Sequence, residues 1–441
     1  MTPEPIPHHS NPLLRKACEV ARAAHDLGGR ALLVGGYVRD ELLGLAPKDA
    51  DVEVYGLEAT ALREMLRRFG KVDCVGESFR VYKLTWRERG ERFELDVSLP
   101  RRDRKVGAGH KGFEVEGDPH ASVEDAARRR DFTVNAMMRD PLTGELLDPF
   151  GGQSDLQSRT LRMVDPQHFG EDSLRVLRAM QFAARFGMTI EPETVALCRT
   201  IDLLDLPKER IWVEWEKLLL KADVPSLGVQ AARDLNVLKQ LFPFFDAEFD
   251  NEKSESWQDR LFAGLDRAAR EKRALAYEKQ VALMIAVIEA QLDLAPSLGY
   301  FVDALGLKTL GGYDVRAQVA ALANEAGTIA HFWEHRHAGH ISDGAYRRVA
   351  LRCDPQLLYL LSRAGGHDEA AEDFRARMQK LGVWDAPPSP ILMGRHLLEM
   401  GLKPGKQIGA ITRAVFEAQL DGTIATLEEA QAQARRLIEE N

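Results

Sequence analysis

The stretch LLVGGYVRDELLGLAPKDADVEV, residues 32–54, decides how the rest of the chain is read. Ala31-Leu32-Leu33-Val34 is a short apolar run of strand type, and Gly35-Gly36 separates it from a helix carrying Val38, Leu42 and Leu43. Two glycines let backbone approach a ligand closely, and the N–H groups opening the next helix face an anion. Arg39, one turn in, is placed to add a charge-assisted bond to phosphate. A plain strand–helix turn would use the same glycines, so the Gly-Gly pair alone decides little. Residues 49–55 alternate in polarity and predict a strand. Asp49 and Asp51 then share one face, while Ala50, Val52 and Val54 point to the core on the other. Two hard carboxylate oxygens at one point suit Mg²⁺, which takes one or two carboxylates plus substrate phosphates. A solvated polar face continued by Glu53 is the plainer alternative, and the upstream Gly-Gly and Arg39 argue against it. Asp96, on FELDVSL (93–99), is the nearby candidate for a third carboxylate, with Glu94 on the same face.

Working outward, helices are predicted over 13–27 and 58–69, and strands near 79–86 and 92–99, an α/β pattern reaching about residue 150. Beyond 155 helical periodicity takes over, as in LRVLRAMQFAARF (174–186) and WVEWEKLLLKA (212–222). Residues 223–441 read almost entirely as helices, with a break at Ala386-Pro387-Pro388-Ser389-Pro390. The 441 residues suffice for two or three domains at ~100–200 residues each. Charge is 59 Lys+Arg against 68 Asp+Glu, a net −9, which excludes a chain that is basic all over but not a local basic surface. Cys18, Cys74, Cys198 and Cys353 form no CxxC pair, so neither a zinc ribbon nor a disulfide framework is indicated, and a reducing cytoplasmic setting is expected. The N-terminus has no apolar run of signal-peptide type, and Val281–Ile288 is too short for a bilayer, which needs ~20 residues. No membrane partner is therefore expected.

Three further segments carry chemistry. Arg128-Arg129-Arg130-Asp131-Phe132-Thr133-Val134-Asn135-Ala136 places three arginines before an acid, as a solvated helix end also would. Asp148-Pro149-Phe150-Gly151-Gly152-Gln153-Ser154-Asp155-Leu156 is a turn by its Pro and glycines. In Glu171-Asp172-Ser173-Leu174-Arg175-Val176-Leu177-Arg178, Asp172, Arg175 and Arg178 recur every third residue as one polar helix stripe. Plain i,i+3 ion pairing, worth ~0.2–0.5 kcal/mol, would produce the same stripe. Residues 101–111, RRDRKVGAGHK, read as a mobile basic loop, and HFWEHRHAGH (331–340) puts His331 and His335 on one helix face, more plausibly solvated than metal-binding.

Taken together, these motifs resemble those of the class II tRNA nucleotidyltransferases, the family of CCA-adding enzymes and bacterial poly(A) polymerases. The likeness covers residues 31–186 strongly and the remainder loosely. It implies an α+β fold: a polymerase-β-like head with a mixed sheet and helices (13–150), followed by an all-α neck (151–222), body (223–386) and tail (391–441). It implies that Asp49 and Asp51 hold the catalytic Mg²⁺, and that Gly35, Gly36, Arg39, Arg130, Asp131, Asp172, Arg175 and Arg178 bind the nucleotide. Arg130 and Asp131 would sit at the sugar and phosphates and favour ribonucleotides, supported by Thr133 and Asn135. The 148–156 turn would be a hinge between head and neck. Asp172 and Arg175 would template the incoming base. Cytosine and adenine both present an amino donor beside a ring-nitrogen acceptor, which a carboxylate and a guanidinium can pair. Guanine and uracil reverse that pattern and would leave buried groups unpaired, a basis for rejection by roughly 10⁴-fold or more. Gln181 stands where relatives often carry another Arg. The loop at 101–111 would help switch from CTP to ATP. Residues 250–310 contain no His, and His-Asp occurs only at 25–26 and 367–368, so the body resembles an HD domain without hydrolase ligands. The tail would hold tRNA. The implied activity is CCA addition to the tRNA 3′ end from CTP and ATP, with the 3′ end and acceptor stem as partner. CC-only or A-only addition, poly(A) synthesis and an inactive tRNA-binding protein remain alternatives.

Overall fold

The computed structural model describes residues 11–47, 49–75, 81–105, 113–251, 254–293, 296–336 and 341–439. The chain divides into two compact units, residues 1–206 with 231–237, and residues 207–230 with 238–441. The predicted neck is thus shared between them.

The first unit opens with α1 (Pro12–Asp26), whose first turn is fixed by the Asn11 side chain accepting from the Leu13 N–H. Its buried stripe of Leu13, Leu14, Ala17, Val20, Ala21 and Ala24 is the one predicted. Then follow β1 (Arg30–Val34), α2 (Gly36–Leu42), β2 (Asp51–Tyr55), α3 (Ala59–Leu66), β3 (Lys71–Val75), β4 (Val81–Glu88) and β5 (Glu91–Ser98). A hairpin, β6 (Arg101–Lys105) with β7 (Phe113–Gly117), leads to α4 (Val123–Arg128), β8 (Met138–Arg139) and β9 (Leu146–Leu147). The main sheet has seven strands in the order β3-β4-β5-β2-β1-β8-β9. It is mixed: β2 runs parallel to β5 and antiparallel to β1. With a neighbour on each side, β2 lies inside the sheet, and Val52 and Val54 are wholly buried. The α+β reading of the head stands.

Two expectations change. The predicted strand at 49–55 begins at Asp51, so Asp49 lies in the segment leading into it. Residues 101–105, read as part of a loop, instead pair with 113–117 as a strand, while 106–112 lie outside the described residues.

The unit continues with α5 (Gly152–Gln157), β10 (Thr160–Leu161), α6 (Pro166–Phe169), α7 (Leu174–Phe186), β11 (Thr189–Ile190) and α8 (Pro192–Cys198). Gly151 takes φ +74° at the start of α5. A Cβ on Gly152 would lie 2.2 Å from the Thr133 carbonyl oxygen, so only glycine permits this approach. Thr133 also donates to Asp155 at 2.7 Å, binding the 148–156 turn to the 128–136 segment.

Among its described residues the second unit is helical apart from a two-residue strand pair, Thr309–Leu310 with Tyr313–Asp314. Its centre is the helix Tyr277–Glu289, in which every residue from Val281 to Glu289 is buried. The apolar run that was too short for a membrane is thus a core helix. A separate cluster of Leu392, Leu397, Ile411, Val415 and Ile424 forms the core of the C-terminal helices. Arg348 ties these to the preceding helices through Glu417 and Asp421. Among the described residues, no helix is long and apolar enough to cross a membrane.

Candidate active site

The site is built on β2. Alternation sends Asp51 and Glu53 to the face opposite Val52 and Val54, and Asp49 lies two residues ahead, exposed. In the parallel pair, Asp51 lies in register with Asp96 of β5, and Glu53 with Ser98. These residues, with Arg129 and Arg130 from the segment after α4, line an open cleft of about 350 Å³. The sequence placed Asp49 and Asp51 on one face; pairing with β5 brings in Asp96.

The cleft is short of positive charge where its carboxylates meet. Loss of surrounding water raises the Asp51 pKa, the Asp96 carboxylate raises it further, and Arg130 opposes both. Asp49 and Glu53 add smaller upward pushes. Asp96 Oδ1 is buried and makes no hydrogen bond among the described residues. Lys83 Nζ stays 3.9 Å from it, 3.0 Å from Glu94. A buried carboxylate oxygen facing a carboxylate is a donor set that a divalent cation fits. No group of three or more His, Cys, Asp or Glu able to hold a metal occurs among the described residues. Mg²⁺ needs no such cage, since substrate phosphates and water complete its shell.

Gly35 takes φ +66°, and a Cβ there would come 3.2 Å from Arg130 Nη1, so the glycine lets the guanidinium lie close to the β1–α2 turn. Arg130 Nη2 donates to Glu53 Oε1 at 2.7 Å, while its Nε is buried and makes no hydrogen bond among the described residues. Glu53 also accepts from the Tyr55 hydroxyl at 2.9 Å. Sequence reasoning treated Glu53 as a continuing polar face. Its signal was the third acid of an Asp-x-Asp-x-Glu alternation; its partner comes from 77 residues away.

Arg39, Asp131 and Arg178 form a second, buried network. Arg39 is 5% exposed, donates to Asn135 Oδ1 at 2.7 Å and to Asp40, and lies 4.4 Å from the centre of the Phe186 ring. Asn135 donates on to Asp131 Oδ1 at 3.0 Å, which also accepts from the Phe132 N–H. Arg178 Nε donates to Asp131 Oδ2 at 2.6 Å. Burial works against the Asp131 carboxylate, but the Arg178 charge and these bonds outweigh it and hold its pKa below the usual range. So Arg39 and Asp131, expected at phosphate and sugar, join protein segments here.

The predicted stripe is also modified. α7 begins at Leu174, so Asp172 precedes it and accepts from the Leu174 N–H at 3.1 Å. Arg175 donates to the carbonyls of His168 and Arg129 at 2.8 and 2.7 Å. Arg175 and Arg178 thus fasten α7 to the 128–136 segment beside the cleft. His331 and His335 share a helix face with ring centres 4.3 Å apart; His337 and His340 lie outside the described residues.

Comparison with known proteins follows this geometry. Residues 31–162 match the Poly A polymerase head domain, and residues 187–249 match the probable RNA and SrmB-binding site of polymerase A. A CCA-adding enzyme in its apo form II is similar at 21% identity and TM-score 0.68, over 97% of this chain and 96% of its own. The Thermotoga maritima CCA-adding enzyme complexed with tRNA is similar at 20% identity and TM-score 0.65, over 99% and 97%. The Bacillus stearothermophilus CCA-adding enzyme in complex with CTP is similar at 21% identity and TM-score 0.65, over 98% of each chain. These structural likenesses show a shared fold. Residues 31–162 are thus similar to a Poly A polymerase head domain and residues 187–249 to an RNA-binding segment of polymerase A, in a chain that shares its fold with CCA-adding enzymes.

Proposed function

We propose that the protein adds CCA to the 3′ end of tRNA from CTP and ATP. The observation that carries this reading is the Asp51–Asp96 pair across β2 and β5, with Arg130 held over the same cleft by Glu53. The fold shared with CCA-adding enzymes, including ones bound to CTP, to ATP and to tRNA, supports a nucleotidyltransferase acting on tRNA; CC-only, A-only and poly(A) synthesis are the alternatives that the test below separates.

In this reading Asp49 and Asp51 would hold Mg²⁺, with Asp96 facing Asp51 across the strands and substrate phosphates and water completing the shell. The bound metal supplies Lewis-acid stabilisation of the attacking and leaving oxygens. The reaction is in-line: the RNA 3′-oxygen forms a bond to the α-phosphorus, its proton is released, and pyrophosphate departs. Gly35 and Gly36 leave space for the triphosphate beside Arg130, whose Nε makes no hydrogen bond among the described residues. Asp131, Arg39 and Arg178 position the Arg130 segment through Asn135 and the backbone. Asp172 and Arg175 select the base. Arg175 must then exchange a carbonyl of Arg129 or His168 for the base edge, which makes base selection a conformational step.

The test is nucleotide incorporation by the purified protein with Mg²⁺. Transcripts ending at the discriminator base, at C and at CC receive CTP and ATP separately and together. Completion of CCA followed by a stop is expected, and Asp51→Ala should abolish it while RNA binding persists. Long A tails would replace this reading by poly(A) synthesis; growth confined to one part of CCA would mean a partial enzyme.

A further inference from the structure

The second unit contains a depression that the proposed chemistry does not use. Its inner cavity, about 180 Å³, is lined by Arg260, Gln291, Ser362 and His367 with apolar neighbours such as Val287 and Leu361. An outer trough of about 530 Å³ is lined by Arg260, Arg267, Arg270 and Glu271 against Gly365 and Gly366. Arg260, Ala364 and Gly365 border both, so the two adjoin.

The polar groups have a consistent sense. Arg260, Arg267 and Arg270 lie seven and three residues apart on the helix Ser254–Glu271 and share one face. Arg267 is neutralised by Asp368 at 2.6 Å, and Arg363 by Asp368 and Glu271. Arg260 and Arg270 are exposed, and Arg260 has a long contact to Ser256 Oγ at 3.4 Å. No carboxylate lines the inner cavity. Ser362 is 3% exposed, and its Oγ is buried with no hydrogen-bond partner among the described residues. A buried hydroxyl without a partner is costly, and its usual explanation is a ligand or water. One imidazole without a carboxylate or thiolate is a poor metal set. A guanidinium, a hydroxyl, an amide and an imidazole around a small space are donors for an anion.

We propose that this depression binds a phosphate group, with Arg260 and Ser362 as its inner donors and Arg270 at its mouth. The inner cavity fits a single phosphate rather than a nucleotide, since sites for drug-sized ligands run from ~300 Å³. The phosphate is either a free ion or one link of an RNA backbone lying along the trough.

Hydrogen exchange of the full chain with inorganic phosphate, against chloride at equal ionic strength, tests this. Protection is expected at 258–267 and 361–368, read separately from any effect in the head at 34–39 and 129–131. Arg260→Gln and Ser362→Ala should each weaken that protection about tenfold in phosphate concentration, the scale of one charge-assisted bond. Ser362→Ala should not lower the melting temperature in chloride, because its hydroxyl has no partner there to lose. Absence of protection at these segments, equal protection in the variants, or destabilisation by Ser362→Ala in chloride would each overturn the proposal. The source follows from tRNA binding. If Arg260→Gln weakens tRNA binding and lowers its salt slope by about one, the phosphate belongs to RNA. If tRNA affinity is unchanged while phosphate protection remains Arg260-dependent, the ligand is a free phosphate.

Discussion

Asp131→Asn separates the structural role found for this residue from the expected one at the nucleotide sugar. The carboxylate is 7% exposed, takes the Phe132 N–H and the Asn135 amide on Oδ1, and takes Arg178 on Oδ2. Asparagine can keep the Oδ1 bonds, but its amide N–H₂ then faces the Arg178 guanidinium, donor against donor. One charge-assisted bond is lost, about 1.5–3 kcal/mol. Removing one partner of a buried ion pair costs about 3–5 kcal/mol, and Arg178, one-third exposed, brings this to the lower end. A loss of about 3 kcal/mol in the first unit is expected. The effect has a pH signature. The lowered pKa of Asp131 means that its stabilisation is complete above the unfolded value of ~3.9 and is lost as pH falls through the folded one. Wild type and variant should therefore converge on acidification. Native-state hydrogen exchange at the α7 amides reads the local cost, and adding Arg178→Met should recover part of it through coupling. A loss under about 0.5 kcal/mol, no coupling, or a gap that stays constant into acid would refute this account of the network.

Three other outcomes are expected. Because the folded pKa of Asp51 is raised, its ionised form is disfavoured above that value, and this penalty vanishes below the unfolded one. Asp51→Asn should thus raise the melting temperature in chelator at pH 7, with the gain disappearing near pH 3, while incorporation is abolished; a destabilised variant would contradict the crowding of carboxylates. Glu53→Gln removes the charge that holds Arg130 and should raise KM for nucleotide far more than it changes RNA affinity, measured by steady-state incorporation and filter binding. Lys272 is 3% exposed, and burial lowers its pKa to about 8. Against an unfolded value of ~10.4, its charged form costs about 3 kcal/mol below pH 8, a penalty that fades as pH rises towards 10. Lys272→Met should stabilise the second unit at pH 7 and flatten its pH dependence, as urea titrations across pH 7–10 would show.

Legibility in the sequence followed the range of the interaction. The alternation of Asp49 to Val54 and the stripe of α1 are local, since a strand or helix period decides which residues share a face. The α1 stripe is found as expected, and the strand alternation holds from Asp51 to Val54, with Asp49 ahead of β2. The bounds of α7 match the expected 174–186, but Asp172 was counted in its stripe, because a stripe of period three extends equally through a helix and the turn before it; Asp172 instead accepts from the Leu174 N–H ahead of the helix. The strand at 101–105 was read as loop because its composition is basic, and its order comes from pairing with 113–117 rather than from its own propensity.

By itself the sequence determined the element types around the β1–α2 turn and β2, the acidic face of β2, the order of the motifs and hence the family resemblance. These are properties of short segments, governed by side-chain spacing. Only the tertiary structure decided that Asp96 stands opposite Asp51, that Glu53 holds Arg130, and that Arg39 and Asp131 lie in a buried network. A charged side chain has several possible partners along a sequence. Which one it takes depends on strand register and helix packing over tens of residues, and on how much water the fold leaves around it.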